Sequence, residues 1–199
     1  MGAIKKSKSN SIYTQLVDGK ICEYVGTEKK ADTNICINEK FYDVFAEICG
    51  NLTYIGINQV DSSKGDWKEL QLRLSEAGEP DVMFKCYFPS RESTMLLNRL
   101  ATYLSEDRES YYFKMKSFKN EDGKSIVLLY DDKGELIPYT WTKENSNGLP
   151  AMEQKKDKRG NISYNSDSQT EYLEEFTDTA QKQIRDKYVS NSNTIADVK

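Results

Sequence analysis

Residues 67–88 constrain the fold most, because two consecutive segments alternate between apolar and polar side chains. In WKELQLRL (67–74) the leucines share one parity, and in VMFKCYF (82–88) Val82, Phe84, Cys86 and Phe88 do. Successive side chains of an extended strand point to opposite faces, so each segment predicts a strand with one face on a core. A turn at 76–80 joins the two segments.

Further strand patterns lie on both sides of this pair. Residues 44–59 have strand composition, with Gly50 and Gly56 placed as bulges or bends. Residues 111–118 and 125–130 predict two more strands, the first with Tyr111, Phe113 and Met115 on one face. Residues 135–141 predict an additional hairpin strand at a sheet edge, because they contain Pro138.

One helix interrupts these strands. It is predicted to begin after Pro89 with Ser90 as N-cap and to end near Ser105, with its leucines on one stripe. Three strands, a helix and two strands are the order of a five-stranded OB-fold barrel. The predicted fold class is therefore mainly β, an OB barrel with a helix between strands 3 and 4, plus the extra strand and a C-terminal helix. The alternative is a generic α+β sheet with one helix.

The predicted organisation has five parts. They are an N-terminal extension (1–40), an OB-fold domain (41–150), a polar linker (151–166), a C-terminal amphipathic helix (167–189) and a disordered tail (190–199). Residues 12–25 could hold a strand or two around an Asp18-Gly19 turn. A basic cluster at Lys5, Lys6 and Lys8 is either a solvated tail or an arm on a nucleic-acid backbone.

Composition argues against most enzyme classes. The 199-residue chain has no histidine, which removes the usual general base and most zinc catalytic sites. Its four cysteines form no C-x-x-C pair, so we expect no metal or cofactor and free, mostly buried thiols. No apolar leader or membrane-length run occurs, which predicts a cytoplasmic protein without a membrane partner. The net charge of −4 requires that any basic binding surface be local.

Aromatic and basic side chains recur on the non-core parity of three strands. Single-stranded nucleic acids bind such faces, because bases stack on rings and cations follow the phosphates. Alternatively, Tyr112 and Phe118 pack under the C-terminal helix and the lysines only aid solubility. The candidate single-stranded-DNA-binding residues are Trp67, Arg73, Lys85, Tyr87, Tyr112, Lys114, Lys116 and Phe118.

Residues 44–153 resemble bacteriophage single-stranded DNA-binding proteins with an OB fold. Four stretches carry the resemblance: EICGNLTYIGI, PSRESTMLLNRL, GKSIVLLYDDKGELIPYTWT and KENSNGLPAME. The resemblance implies a protein without enzymatic activity that protects single strands during phage replication or recombination, in the cytoplasm of a bacterial host. The family's binding face maps onto the eight candidate residues by strand position only.

A second function stays open at this point. An OB barrel can bind proteins as readily as nucleic acid, and the acidic composition favours an interaction module without nucleic-acid binding. The C-terminal helix could either cap the barrel or recruit replication proteins through its apolar face. Oligomeric state and the preference between DNA and RNA are also left open.

Overall fold

The computed structural model describes residues 11–63 and 65–196, so Lys5, Lys6 and Lys8 lie outside the described residues. The fold is mainly β, with two helices. In chain order the elements are β1 (Ile12–Val17), β2 (Lys20–Gly26), β3 (Ile35–Ile37), β4 (Lys40–Phe45), β5 (Ile48–Val60), β6 (Trp67–Ser75), β7 (Val82–Phe88), α1 (Arg91–Ser105), β8 (Tyr112–Lys119), β9 (Ser125–Tyr130), β10 (Glu153–Lys156), β11 (Ile162–Asn165) and α2 (Asp167–Ala196).

Nine strands form one curled sheet in the order β3-β4-β2-β1-β7-β6-β5-β8-β9. Its ladders are antiparallel except for the parallel pair of β1 and β7. Although β2 and β8 are far apart in this order, the Ser117 hydroxyl donates to the Gly19 carbonyl at 3.1 Å, and Lys119 pairs with Asp18. The sheet therefore bends into a half-barrel that brings the β1–β2 turn to the end of β8.

The inner face of this curled sheet holds the core. Leu70, Leu72 and Leu74 are fully buried, as are the β8 residues Phe113 and Met115. This confirms the parity predicted from the alternation of β6 and β8. On β7 the same face carries Phe84, Cys86 and Phe88. Hydrophobic burial on one face of several strands is the main stabilising contribution to such a fold.

Two glycines in β5 accommodate close neighbours. Gly50 has φ 144°, and a Cβ there would lie 3.1 Å from the Ser75 amide nitrogen, so the position requires glycine. At Gly56 the ring of Tyr54 occupies the space that a side chain would need. The register shift itself lies between Leu52 and Tyr54, which places the bulge between the two glycines rather than at either one.

Helix α1 begins and ends where the sequence predicts. The Ser90 hydroxyl accepts from the Ser93 amide at 3.0 Å, and the Ser93 hydroxyl accepts from the Ser90 amide at 2.9 Å. A serine therefore completes the capping box in place of the usual glutamate. Leu96, Leu97 and Leu100 are buried in the core.

The predicted extra hairpin strand at 135–141 is wrong. Tyr130 and Leu136 form one isolated bridge, and the chain then turns toward α1. Pro138 has no amide proton for a ladder. The side chain of Asn98 instead accepts from the Trp141 amide at 2.7 Å and donates to the Trp141 carbonyl at 2.8 Å. Side-chain contacts from the helix thus replace the strand partner.

Helix α2 covers the inner side of the sheet. Leu173, Ala180 and Ile184 are buried, and the Gln181 side chain accepts from the Ile55 amide at 2.8 Å. The ring centroid of Trp141 lies 5.6 Å from that of Phe176. The amphipathic pattern therefore serves docking in this chain. The helix continues past residue 189 to Ala196, and residues 151–166 contain the β10–β11 hairpin.

Neither helix that the structure describes combines the length and the apolar character needed to cross a membrane.

Candidate nucleic-acid interface

The face of the sheet opposite the core carries all eight candidate residues. On β6 and β7 the register places Tyr87 opposite Glu69, Lys85 opposite Gln71 and Met83 opposite Arg73. Directly opposed side chains of antiparallel strands lie on the same face. Trp67, Arg73, Lys85 and Tyr87 thus share one continuous surface across these two strands.

Glu69 lies at the centre of this four-residue group. Its carboxylate accepts from the Trp67 indole nitrogen at 3.2 Å and lies 3.7 Å from the Lys85 ammonium. These contacts fix the indole and partly neutralise the lysine. The guanidinium of Arg73 lies 6.0 Å from the Tyr54 ring centroid and has no carboxylate partner within the described part of the chain. Tyr87 is 58% exposed, so its ring is available for stacking.

The other four candidates lie on β8, separated from the first group by β5. Tyr112 pairs with Asn51 and Lys114 with Cys49 of that strand. Lys116 lies 3.2 Å from Glu47, which offsets its charge. Phe118 is 45% exposed near the end of β8. The eight residues therefore form two groups on one face rather than a single cluster.

Of the two candidate aromatic residues on β8, Tyr112 is less accessible than Phe118. A hydrogen bond with Cys49, followed by burial and the carboxylates of Glu76 and Glu47, raises the pKa of the Tyr112 phenol to about 12. Its hydroxyl stays protonated at neutral pH and is engaged with the thiol. The ring is half-buried, so Phe118 is the better stacking surface of the two.

A cavity of about 460 Å³ on the same face extends the β6–β7 group toward the N-terminal strands. We call it the tyrosine pocket. It is lined by Tyr13 and Gln15 of β1, Tyr24 of β2, Lys40 and Tyr42 of β4, and Lys85 of β7. The parallel register of β1 and β7 sets Gln15 beside Lys85 and Tyr13 beside Met83. Lys85 therefore belongs both to the predicted group and to this pocket.

Aromatic rings dominate the tyrosine pocket. The ring centroids of Tyr24 and Tyr42 are 5.7 Å apart with planes tilted by 59°, and the Lys40 ammonium lies 6.0 Å from the Tyr24 centroid. Tyr13 and Tyr24 are 58% and 47% exposed. Burial, with a smaller contribution from Cys22, raises the pKa of Tyr42. The Tyr42 phenol is thus a neutral hydrogen-bond donor at physiological pH.

Glu23 also lines the pocket, so one carboxylate accompanies its two lysines. The site is consequently mixed in charge, and it offers an anionic ligand two cations and three rings. Sequence reasoning missed Tyr13, Tyr24, Lys40 and Tyr42. The alternating polar and apolar residues of 12–24 indicate strands, as predicted, but no local signal places those strands beside β7.

The positions of the cysteines do not indicate a reactive thiol or a metal site at this face. Cys22 and Cys86 are buried, Cys49 is half-buried and Cys36 is exposed, so two of the four thiols match the predicted burial. Burial raises the pKa of Cys86 to about 12, which keeps the thiol protonated and unreactive. In the part of the chain that the structure describes, no group of three or more His, Cys, Asp or Glu side chains could hold a metal ion.

Comparison with protein-family models, with curated proteins and with solved structures returns no match to this chain. The resemblance to phage single-stranded DNA-binding proteins therefore stays a prediction.

Proposed function

We propose that this protein binds single-stranded DNA without sequence preference, through the outer face of the curled sheet. The observation that carries the proposal is the tyrosine pocket, which joins Lys85 of the predicted group to two further exposed rings. Tyr87 lies two residues from Lys85 on the same face of β7. Exposed aromatic rings interleaved with cations on a sheet are the usual platform for single strands.

Stacking would supply much of the affinity. Tyr13, Tyr24 and Tyr87 each present an accessible ring, and base–aromatic stacking contributes roughly 1–3 kcal/mol per base. Every base has a π-face, so this binding needs no base-specific hydrogen bonds. Phe118 would extend the platform across β8.

Unpaired cations on the outer face explain how a chain with a negative net charge can bind DNA. Lys40, Arg73 and Lys114 lie on the outer face, and none of them has a carboxylate partner within salt-bridge distance among the described residues. They remain available to phosphates, whereas Lys85 and Lys116 are partly neutralised by Glu69 and Glu47. Three available cations on one face can attract a strand although the net charge is −4.

The strand order supports the OB-barrel part of the proposal. Strands β5 to β9 follow one another along the chain, with α1 after the third. They lie side by side as third, second, first, fourth and fifth. Such an arrangement suits a partly open Greek-key barrel. In this interpretation β1 extends the barrel along the free edge of β7, which is how Tyr13 and the tyrosine pocket join the binding face.

The biological setting follows from the sequence resemblance. A protein of this kind would coat transient single strands during phage replication or recombination in the bacterial cytoplasm. It would act by binding alone, without catalysing a reaction.

A fluorescence titration with a dT oligomer of about 30 nucleotides tests this function. Site sizes per OB barrel reach about 16 nucleotides, so this length covers one molecule completely. We expect quenching of Trp67 emission and tight binding at low salt that weakens as salt rises. Absence of binding at low salt would refute the proposal. The same titration with an rU oligomer would show whether the protein prefers DNA.

A groove beside α1 favours the interaction module as a second candidate function. It has a volume of about 700 Å³, and Met95, Ile126, Tyr139 and Leu149 contribute apolar lining. Apolar grooves of this kind accept helices of partner proteins. This function would be favoured by a purified phage or host replication protein that binds this chain but not its Leu149→Glu variant. The chain itself should then show no binding to the dT oligomer.

A further inference from the structure

The β10–β11 hairpin differs from the other strand pairs of the described residues because neither of its strands contains a buried residue. All eight residues of its two strands are exposed except Asn165, which is half-buried. Four consecutive pairs, from Glu153 with Asn165 to Lys156 with Ile162, join the strands. A two-stranded ribbon without a buried face contributes little to the core, so its presence calls for another explanation.

The tip of this hairpin is strongly basic. Lys155, Lys156, Lys158 and Arg159 fall within five residues, in a chain whose net charge is negative. No carboxylate of the described residues lies within salt-bridge distance of any of these four side chains. On the described surface, such a group of unpaired cations is a local positive end on an acidic molecule.

Asp157 is the one acidic residue at the tip, and it builds the turn. Its carboxylate accepts from the Arg159 amide at 2.8 Å, from the Asn161 amide at 2.8 Å and from the Asn161 side-chain nitrogen at 2.8 Å. Hydrogen bonds from Asn161 are the largest cause that lowers the pKa of Asp157. Since its oxygens are directed at the backbone, the carboxylate orders the loop instead of pairing with the lysines.

One face of the ribbon adds one aromatic ring and an apolar side chain to this charge. Pairing of Gln154 with Tyr164 and of Lys156 with Ile162 puts these four side chains on the same side. Tyr164 is 66% exposed and Ile162 53%. Lys156 on the same face as an exposed tyrosine repeats, on a separate element, the combination of cation and ring found in the tyrosine pocket.

We propose that the β10–β11 hairpin is a second nucleic-acid-binding arm, which holds the phosphate backbone of the strand whose bases stack on the outer face. This inference rests on the proposed function. The cations at the tip engage phosphates, and Tyr164 stacks on a base or packs against a sugar. Two linked contact surfaces on one strand strengthen each other, because binding at the first raises the effective concentration at the second.

The test compares two triple variants of the full-length protein. The hairpin variant is Lys156→Gln, Lys158→Gln and Arg159→Gln, which leaves the Asp157 and Asn161 turn unchanged. The control is Lys133→Gln, Lys182→Gln and Arg185→Gln, which removes the same residue types from exposed positions elsewhere. Both variants carry the same net charge. Circular dichroism and thermal unfolding verify that both fold as the parent does.

Affinity for the 30-nucleotide dT oligomer is measured as a function of salt. Each lost phosphate contact lowers the slope of log K against log salt by about 0.7 for single strands. In the hairpin variant, which lacks three cations, the magnitude of this slope is expected to fall by up to about 2. Its affinity at 0.1 M salt is expected to fall by about ten- to a hundredfold. The control is expected to keep the parental slope. Tyr164→Ala is expected to weaken binding further without changing the slope.

The outcomes separate the two proposals. If the parent binds dT, loses affinity with Tyr87→Ala and is unaffected by the hairpin variant, the arm is refuted and the outer face stands. If the parent does not bind dT at all, the proposed function fails and the arm with it. Binding of the parent to anionic phospholipid vesicles, lost in the hairpin variant while dT affinity is unchanged, would assign the hairpin to a lipid surface and overturn the arm.

Discussion

The inner and outer faces of β6, β7 and β8 are built from alternating residues of the same strands, yet they have opposite characters. Inside, Leu72, Phe84 and Phe113 are buried in a core that also contains residues of α1 and α2. Outside, Tyr87 and Phe118 remain exposed beside cations that are in part paired to carboxylates. One face therefore stabilises the fold, and the other is left for a ligand.

This difference shows how one set of strands can separate stability from binding. A side chain of the inner face contributes through burial, which responds to cavity formation. A side chain of the outer face makes few contacts in the isolated protein, so its substitution costs little folding energy. Changes on the two faces should accordingly affect two different measurements.

The largest expected effect is that of Leu72→Ala on the inner face. Leu72 is fully buried on the central part of β6. Its truncation should lower the free energy of unfolding by about 2–5 kcal/mol through lost burial and a residual cavity. Urea denaturation measures this loss. At 10 °C, where the variant remains folded, its affinity for dT should equal that of the parent, and a parallel loss of affinity would contradict the separation of the faces.

Next in size is the effect of removing an outer-face ring. Tyr87→Ala should reduce the free energy of dT binding by about 1–3 kcal/mol, with a change in stability within about 0.5 kcal/mol. Phe118→Ala is the matched variant in the β8 group. Equal losses for both would mean that the strand crosses the whole face. A loss for Tyr87 alone would confine binding to β6, β7 and the tyrosine pocket.

The inner face should also respond to alkaline pH. Burial, and then Glu92 and Glu69, raise the pKa of the Cys86 thiol to about 12, against about 8.5 in an unfolded chain. The folded protein retains this proton while the unfolded chain loses it. The stability contributed by the neutral thiol is therefore complete below about pH 8.5 and is lost progressively as pH rises toward 12.

Urea unfolding between pH 8 and 10 measures this decline, whose slope for one thiol approaches about 1.4 kcal/mol per pH unit. In Cys86→Ala the slope should be shallower. Part of the decline should persist, because burial also raises the pKa of Cys22. An unchanged slope in the variant would mean that Cys86 is solvated in the folded protein.

The same contrast explains which parts of the molecule could be predicted from the sequence. The alternation of β6 and β7 and the capping serines of α1 are local signals, and they identified the core face and the helix. The parallel pairing of β1 with β7 joins residues 70 positions apart, such as Tyr13 and Met83, and leaves no local pattern. The tyrosine pocket depends on that pairing. The β10–β11 hairpin has no buried face, and its first strand, EQKK (153–156), contains no apolar side chain that could alternate with polar ones.

The smallest expected effect concerns one lysine on each face of the sheet. Lys85 lies on the outer face, 3.7 Å from Glu69, whereas Lys68 follows the inner parity of β6 and pairs with Glu174 of α2. Lys85→Gln should lower the salt slope of dT binding by about 0.7 and the affinity about fivefold at 0.1 M salt. It also leaves Glu69 unneutralised beside the bound strand, which adds to the loss.

Lys68→Gln should leave the salt slope unchanged, because its ammonium faces α2 and not the ligand. Its effect on stability should stay within about 1 kcal/mol, as expected for a partly exposed ion pair. Salt titrations of the two variants against the same dT oligomer therefore test which face meets the phosphates. A slope lowered by Lys68→Gln and not by Lys85→Gln would place the strand on the helix-covered side and reverse the assignment of the two faces.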